Sequence, residues 1–461
     1  MENLSTALGH ALRSPGVKFF LIAALILMLA IPLLLVWVLI EERSQHATGV
    51  ASQIAQEWGE QQTIIGPFLV VPYTVSRTIT QGEKQIEEIQ ERRAVFLPSA
   101  TAIDGNAVPK VLSRSIYNVT VYSSTLNFSG RFDAPNLAEV APDAKTIRWS
   151  DALLAVSISD VSGLKSTAAL KINGGADVVF DPSLGLPGYG AQGIHARLGN
   201  SPAVEGQSIK AFDFTFALNL DGSSSMFFAP VARDTVVSLQ SPWPHPSFTG
   251  NFLPTDRAVS DQGFTSRWQI PHLARSVPHA WTMAGGGNEY GDGPTQRLAP
   301  FSFGVNYYIP VDFYDLASRA AKYALMFLAT AFMAVFLMEV GSARPVHAVQ
   351  YLLVGLAMVF FYVLLLSLAE HIGFEPAYLT AAGATSGMLA LYIAKAQASP
   401  RKGLIMLGVL LALYALLYLI LRLEDYALLA GAIGGFLALT AVMFATLRVD
   451  WSGRRAATNA A

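Results

Sequence analysis

The feature that most limits what this chain can become is a pair of apolar runs, residues 323–340 and 348–368, joined by a turn that carries Arg344, Pro345 and His347. A helix rises about 1.5 Å per residue, so roughly 20 apolar residues cover a hydrocarbon core about 30 Å thick. The stretch from Pro310 to Phe374 reads PVDFYDLASRAAKYALMFLATAFMAVFLMEVGSARPVHAVQYLLVGLAMVFFYVLLLSLAEHIGF and predicts a transmembrane helical hairpin. Any fold must keep these two segments in lipid and the polar part of the chain outside it.

The composition, 52% hydrophobic and 14% charged, tilts the same way. The apolar excess sits in residues 19–40 and 323–447, whereas residues 41–318 have the composition of a soluble domain. Arg13 and Lys18 precede the uncharged first run, which predicts a cytoplasmic N-terminus. That run passes straight into Glu41, Glu42 and Arg43 without a small-residue cleavage site, so it reads as an uncleaved signal-anchor.

Further spans are expected at residues 377–394, 403–421 and 426–447. The loops then alternate in charge: Arg344 and His347, then Lys395, Arg401 and Lys402, face one side, and Glu370 and Glu375, then Glu424 and Asp425, face the other. Arg448, Arg454 and Arg455 close the chain on the basic side. The expected fold is a six-helix transmembrane bundle, one N-terminal plus five C-terminal helices within residues 319–447, with a large, mainly antiparallel β periplasmic domain at 41–318. Residues 1–18 and 448–461 are expected as cytoplasmic tails.

Within the polar region, Val50, Ile54 and Trp58 fall at i, i+4 and i+8 and predict an amphipathic helix that packs on the domain. Short runs at 68–75, 93–97, 116–122, 212–220 and 225–228 are rich in β-branched and aromatic residues and predict strands. Asp221 and Gly222 read as a hairpin turn, and the Gly- and Pro-rich stretches 181–207 and 283–296 as loops. The chain has no cysteine, which excludes disulfides, thiolate–zinc sites and cysteine nucleophiles; about 280 residues can bury a core without them. This region holds 19 basic and 26 acidic residues, a balance of −7, which fits poorly with nucleic acid as a partner.

Several constellations could carry chemistry, and each has a plainer alternative. Glu370, His371 and Glu375 could titrate or hold a metal, but charges at a helix end more often anchor it at the interface. Ser162 and Lys165 form S-x-x-K, yet the S-D-N and K-T-G partners of that enzyme motif do not occur. His245, His272 and His279 are flanked by Pro244, Pro246, Pro271 and Pro278 and lack helical metal spacing, so turns are expected rather than a zinc site. His245 to Pro254, with Arg257, Phe264 and Trp268, reads as a rigid loop and strand packing on the core or membrane face.

Gly383 with Gly387, and Gly431 with Gly435, have the spacing of close helix packing, within the bundle or against a second copy. No span carries an ionisable residue near its centre; Lys322, Glu339 and Glu370 lie at ends, which disfavours proton-coupled transport. The short cytoplasmic parts have no P-loop. Asp312, Arg319 and Lys322 at the entrance of the hairpin, His347 and Gln350 at its turn, and Glu370 and His371 at its exit are the expected structural or coupling residues.

The phrases PVDFY, RAAKYALMF, VQYLLVGLA, FFYVLLLSL and EHIGF, together with GPFLVVP, RRAVFLPS, YNVTVY, HPSFTGNFLP and GFTSRW upstream, resemble the CreD family over nearly the whole chain. Ala348 and Ala369 depart from its pattern, which has a proline after the hairpin histidine and a serine before EHIGF, so neither site is an obligatory proline turn or a serine nucleophile here. The resemblance implies an inner-membrane protein of Gram-negative bacteria that supports cell-envelope integrity and colicin tolerance. A non-catalytic role with no cofactor and no metal is the expectation. The expected partners are the lipid bilayer and another envelope protein or component, with a homo-oligomer left open. The alternatives are a lipid or envelope-precursor carrier and, third, a membrane-associated hydrolase.

Overall fold

Backbone groups in hydrocarbon must bond within their own segment, so apolar runs of this length become helices. The computed structural model describes residues 15–81, 84–114, 116–187, 189, 191–284, 293–307, 313–340, 346–423 and 426–447. Among the described residues six long helices form: α1 (Pro15–Trp58), α2 (Phe313–Val340), α3 (Ala348–Ile372), α4 (Phe374–Ala396), α5 (Pro400–Arg422) and α6 (Ala427–Thr446). Five of them, α1 to α5, are long and apolar enough to cross a membrane, while the apolar stretch of α6, Leu428–Phe444, is shorter. The chain divides into two compact units, Met1–Thr48 with Val311–Ala461, and Gly49–Pro310.

In the helical unit, α2 buries Ala324, Phe327, Leu328, Ala331, Phe332 and Val335, the three-and-four spacing of one helix face. Gly355 on α3 lets α1 and α2 approach: a Cβ there would overlap Leu29 Cδ1 and stand 2.9 Å from Phe332 Cζ. Phe20, Leu27, Ile31 and Leu35 of α1 remain exposed, which suits hydrocarbon rather than water. A single residue, Gly373 at φ 79°, joins α3 to α4, a conformation that favours glycine.

The two glycine pairs differ. A Cβ on Gly431 or Gly435 of α6 would meet α2 at ordinary contact distance, 3.5 Å from Tyr323 Cε1 and from Met326 Sδ. At Gly383 and Gly387 a Cβ would find no heavy atom within 4 Å. Helix α4 buries the stripe of Ala381, Thr385, Ser386 and Leu389 instead, so that pair makes no close contact with another helix of this chain among the described residues.

In the second unit, β1 (Gln62–Gln81) runs through the middle of a ten-stranded sheet. Ile64, Leu69 and Val71 face the main core, while Ile65, Phe68 and Val70 face a second cluster with Val95, Trp281 and Leu298. Burial on both faces explains why the run reads as continuously apolar. This strand pairs antiparallel with β2 (Lys84–Phe96) and β5 (Leu153–Ile158), and parallel with Ser225–Phe228. An eight-stranded sheet contains β3 (Ala100–Arg114), β4 (Tyr117–Phe132), β6 (Phe212–Ser223), β7 (Asp234–Ser241) and β8 (Gly263–Pro271). Strand β7 lies parallel to β3, so both sheets are mixed, although most ladders are antiparallel as expected.

Phe212, Phe214, Phe216 and Leu218 alternate inward with Asp213, Thr215, Ala217 and Asn219 outward, and each fully buried large apolar side chain contributes about 1.5–3 kcal/mol. The C-terminal turns of α1 set Val50, Ile54 and Trp58 against Leu112, Val119 and Val121, with Lys110 Nζ 3.7 Å above the Trp58 ring.

Two expectations need correction. Asp221 and Gly222 form no hairpin turn; they lie within β6, which pairs with β4 as far as Ser223 opposite Val121. A Cβ at Gly222 would overlap the Tyr122 hydroxyl, which donates to Ser225 O at 2.8 Å, so this glycine makes room for a core tyrosine. Ser224, at φ 60°, then passes the chain to the other sheet. The stretch 181–207 is not only loop: Gly193–Arg197 pairs with β5 and buries Ile194 and Ala196. Of 283–296, residues 285–292 lie outside the described residues, and Pro294–Leu298 is a short helix.

Candidate functional site

Charged side chains at the ends of an apolar helix stay in the helix while seeking water or a counter-charge. At one end of the helical unit, Lys18 of α1 is ion-paired with Glu339 of α2. Glu339 is 5% exposed and also accepts from the Val346 N–H at 3.0 Å and from the Tyr351 hydroxyl of α3 at 2.9 Å. Lys402 of α5 donates to Met338 O at 2.8 Å and to Gln397 Oε1. His347 caps α3: its Nδ1 accepts from Val349 N–H, and Gln350 Oε1 accepts from His347 N–H at 2.9 Å. These reciprocal bonds satisfy donors that would be orphaned at a helix start.

At the other end, Glu370 of α3 stands 3.8 Å from Arg43 Nε of α1 and accepts from the Tyr314 hydroxyl of α2 at 3.2 Å. Arg422 of α5 pairs with Glu375 of α4. Twenty-five residues separate Lys18 from Arg43, and the same number separate Tyr314 from Glu339. At about 1.5 Å per residue these are rises of roughly 37 Å, enough to set one polar layer on each side of a hydrocarbon core about 30 Å thick.

The sequence-predicted residues therefore divide. Glu370 finds Arg43 and Tyr314, neither of which was expected as its partner. Asp312 lies outside the described residues. Arg319 and Lys322 occupy the early turns of α2, and Lys322 is exposed. His371 is exposed, with Nδ1 2.9 Å from Ser367 O of its own helix. Glu339, read only as an end charge, is the most enclosed carboxylate of the two layers. The signal that could have found it was Lys18 standing just before the first apolar run, with Glu339 just before the end of the second.

In the β unit, the Ser162 hydroxyl donates to Asp160 Oδ2 at 2.8 Å and Lys165 pairs with Asp221 at 3.1 Å. Burial alone would raise the Asp160 carboxyl, but bonds from Glu60 N–H and from Ser162 hold it below its ordinary value. His245 is exposed beside the strand Pro246–Gly250, Arg257 lies exposed on Asp256–Ser260, and Phe264 and Trp268 are buried on β8. His245, His272 and His279 form no metal-ligand cluster among the described residues. Three adjoining open clefts of about 430, 550 and 390 Å³ run along the outer face of the eight-stranded sheet. Asn106, Asn127 and Gln240 line them together with Pro242, Val259 and Ala217, a mixed wall of amide and hydrocarbon.

The family described as Inner membrane protein CreD matches residues 14–452. The chain is 33% identical over 427 residues to Inner membrane protein CreD of Escherichia coli (strain K12), covering 92% of this chain and 91% of that one. A match of this extent, over helices and sheets alike, places the chain in the CreD family of inner membrane proteins.

Proposed function

We propose that this protein spans the inner membrane six times, holds residues 41–318 in the periplasm, and supports cell-envelope integrity and stress tolerance without catalysis. The observation that carries the reading is the pair of polar layers, which requires α1, α2 and α3 to run up, down and up. Lys395, Arg401 and Lys402 fall at the Lys18 end and Glu375 at the Arg43 end, a distribution that supports a cytoplasmic Lys18 end. Helix α6 then returns the chain to the cytoplasm, with tilt or local thinning of the bilayer taking up its shorter apolar stretch. The S-x-x-K motif supports the non-catalytic reading, since its serine is committed to Asp160 and its lysine to Asp221.

The layer of Arg43, Tyr314 and Glu370 is the coupling element in this reading, because α1 and α2 bracket the periplasmic segment in the chain. In cells lacking their own copy, Ser162→Ala should restore resistance to detergent and colicin as well as the unmodified protein does. Glu370→Ala should insert normally and restore less. A silent Glu370→Ala together with an inactive Ser162→Ala would turn the reading towards a hydrolase.

A further inference from the structure

Arg275 lies between β8 and β9 (Ala280–Ala284) and is 4% exposed. Its Nη2 donates to Val231 O at 2.8 Å and to Ala232 O at 3.2 Å. The Nε and Nη1 hydrogens, by contrast, have no acceptor. Burial lowers the guanidinium only to about 10, so it stays charged at neutral pH. A buried cation with orphaned donors carries a desolvation cost, which an anion accepting from those donors would offset.

Four residues further along the chain is a second unpartnered group. His279 is half-buried and its Nδ1 has no partner. Burial, with Arg233 and Arg275 close by, pushes its imidazole down to about 4, so it is neutral at pH 7. Exposed His272 acts in the same direction, and Asp133 is the one acidic group opposing them. This is a locally positive spot in a region whose overall balance is −7.

We propose that Arg275 and His279 form a binding site for a carboxylate, whose two oxygens accept from the free guanidinium hydrogens and from the imidazole N–H. The class follows from charge matching. The enclosed positive charge is a single unit, since Arg233 and His272 are exposed to water and His279 is neutral. A carboxylate brings one negative charge and two acceptor oxygens, whereas a phosphate dianion would leave an uncompensated charge in the same space. The ligand is thus an acidic small molecule or an acidic side chain or chain end of a partner.

The test titrates sodium acetate against the full chain in detergent micelles at pH 7 and constant ionic strength, reading the thermal midpoint, with inorganic phosphate as the second arm. The midpoint should rise saturably with acetate and much less with phosphate. Arg275→Gln should abolish the acetate response, and His279→Ala should weaken apparent affinity about tenfold, the loss of one charge-assisted hydrogen bond. If Arg275→Gln does not fold, Arg275→Lys takes its place, with the same loss of response expected. An unmodified protein indifferent to acetate, variants that respond as it does, or phosphate acting as strongly as acetate would each overturn the proposal.

Discussion

Glu339→Ala should destabilise the helical unit by about 3 kcal/mol, and the figure follows from what the carboxylate holds. It is 5% exposed and engages Lys18 Nζ, the Val346 N–H and the Tyr351 hydroxyl. Leaving a buried N–H or hydroxyl without a partner costs about 1–3 kcal/mol each, and removing one side of a buried ion pair costs about 3–5 kcal/mol in total. The Lys18 side chain is 23% exposed and can turn its ammonium towards water, which sets the total near the lower bound. Glu339→Gln keeps an acceptor for Tyr351 but gives Lys18 a neutral partner, so it should lose about half as much, roughly 1–2 kcal/mol. Reversible unfolding of the purified protein in mixed micelles of increasing denaturing detergent gives the comparison. If Glu339→Ala stays within about 0.5 kcal/mol of the unmodified protein, the scale of a surface substitution, the carboxylate is not holding these helices together.

Further outcomes follow from the β unit and the second polar layer. Gly222→Ala should cost about 1–3 kcal/mol by displacing the Tyr122 side chain from its bond to Ser225, and Tyr122→Phe should relieve little of that penalty in the double variant, because the ring carbon Cζ would still stand 2.5 Å from the new Cβ; a thermodynamic cycle on the full chain would read this. His279 takes up a proton less readily when folded than when unfolded, so in carboxylate-free buffer its contribution to stability should be fully present above about pH 6.5 and be lost as the pH drops towards 4; His279→Gln should remove that part of the pH dependence. Arg43→Ala should lower the detergent-unfolding midpoint through Glu370 more than Lys322→Ala, whose side chain is exposed, and equal effects would argue against the layer.

Much of the helical unit could be read from the chain, because a membrane allows an apolar run of this length only one backbone solution. The runs at 348–368, 377–394 and 403–421 became Ala348–Ile372, Phe374–Ala396 and Pro400–Arg422, each helix continuing past the end of the predicted run. The greatest extension is α1, where the run 19–40 and the amphipathic spacing at Val50, Ile54 and Trp58 belong to one helix, Pro15–Trp58. Strands with one buried face were legible through alternation, as in Phe212–Leu220. Which strands would pair was not, because parallel partners such as β3 and β7 are far apart in the chain and carry no turn signal. Asp221-Gly222 has the local chemistry of a turn, yet it serves a tertiary need, space for the Tyr122 ring. The same limit hid the end layers: Lys18 and Glu339 are 321 positions apart, and nothing local marks them as partners.

The sidedness of the chain is directly measurable because it contains no cysteine. Single cysteines replace Asn200, an exposed residue of the β unit, and Ala461, the last residue of the chain, and intact cells are treated with a membrane-impermeant maleimide. With the outer membrane made permeable, Asn200→Cys should label at once, and Ala461→Cys should label only after the inner membrane is broken. Labelling of Ala461→Cys in cells with an intact inner membrane, or protection of Asn200→Cys there, would contradict the six-span arrangement.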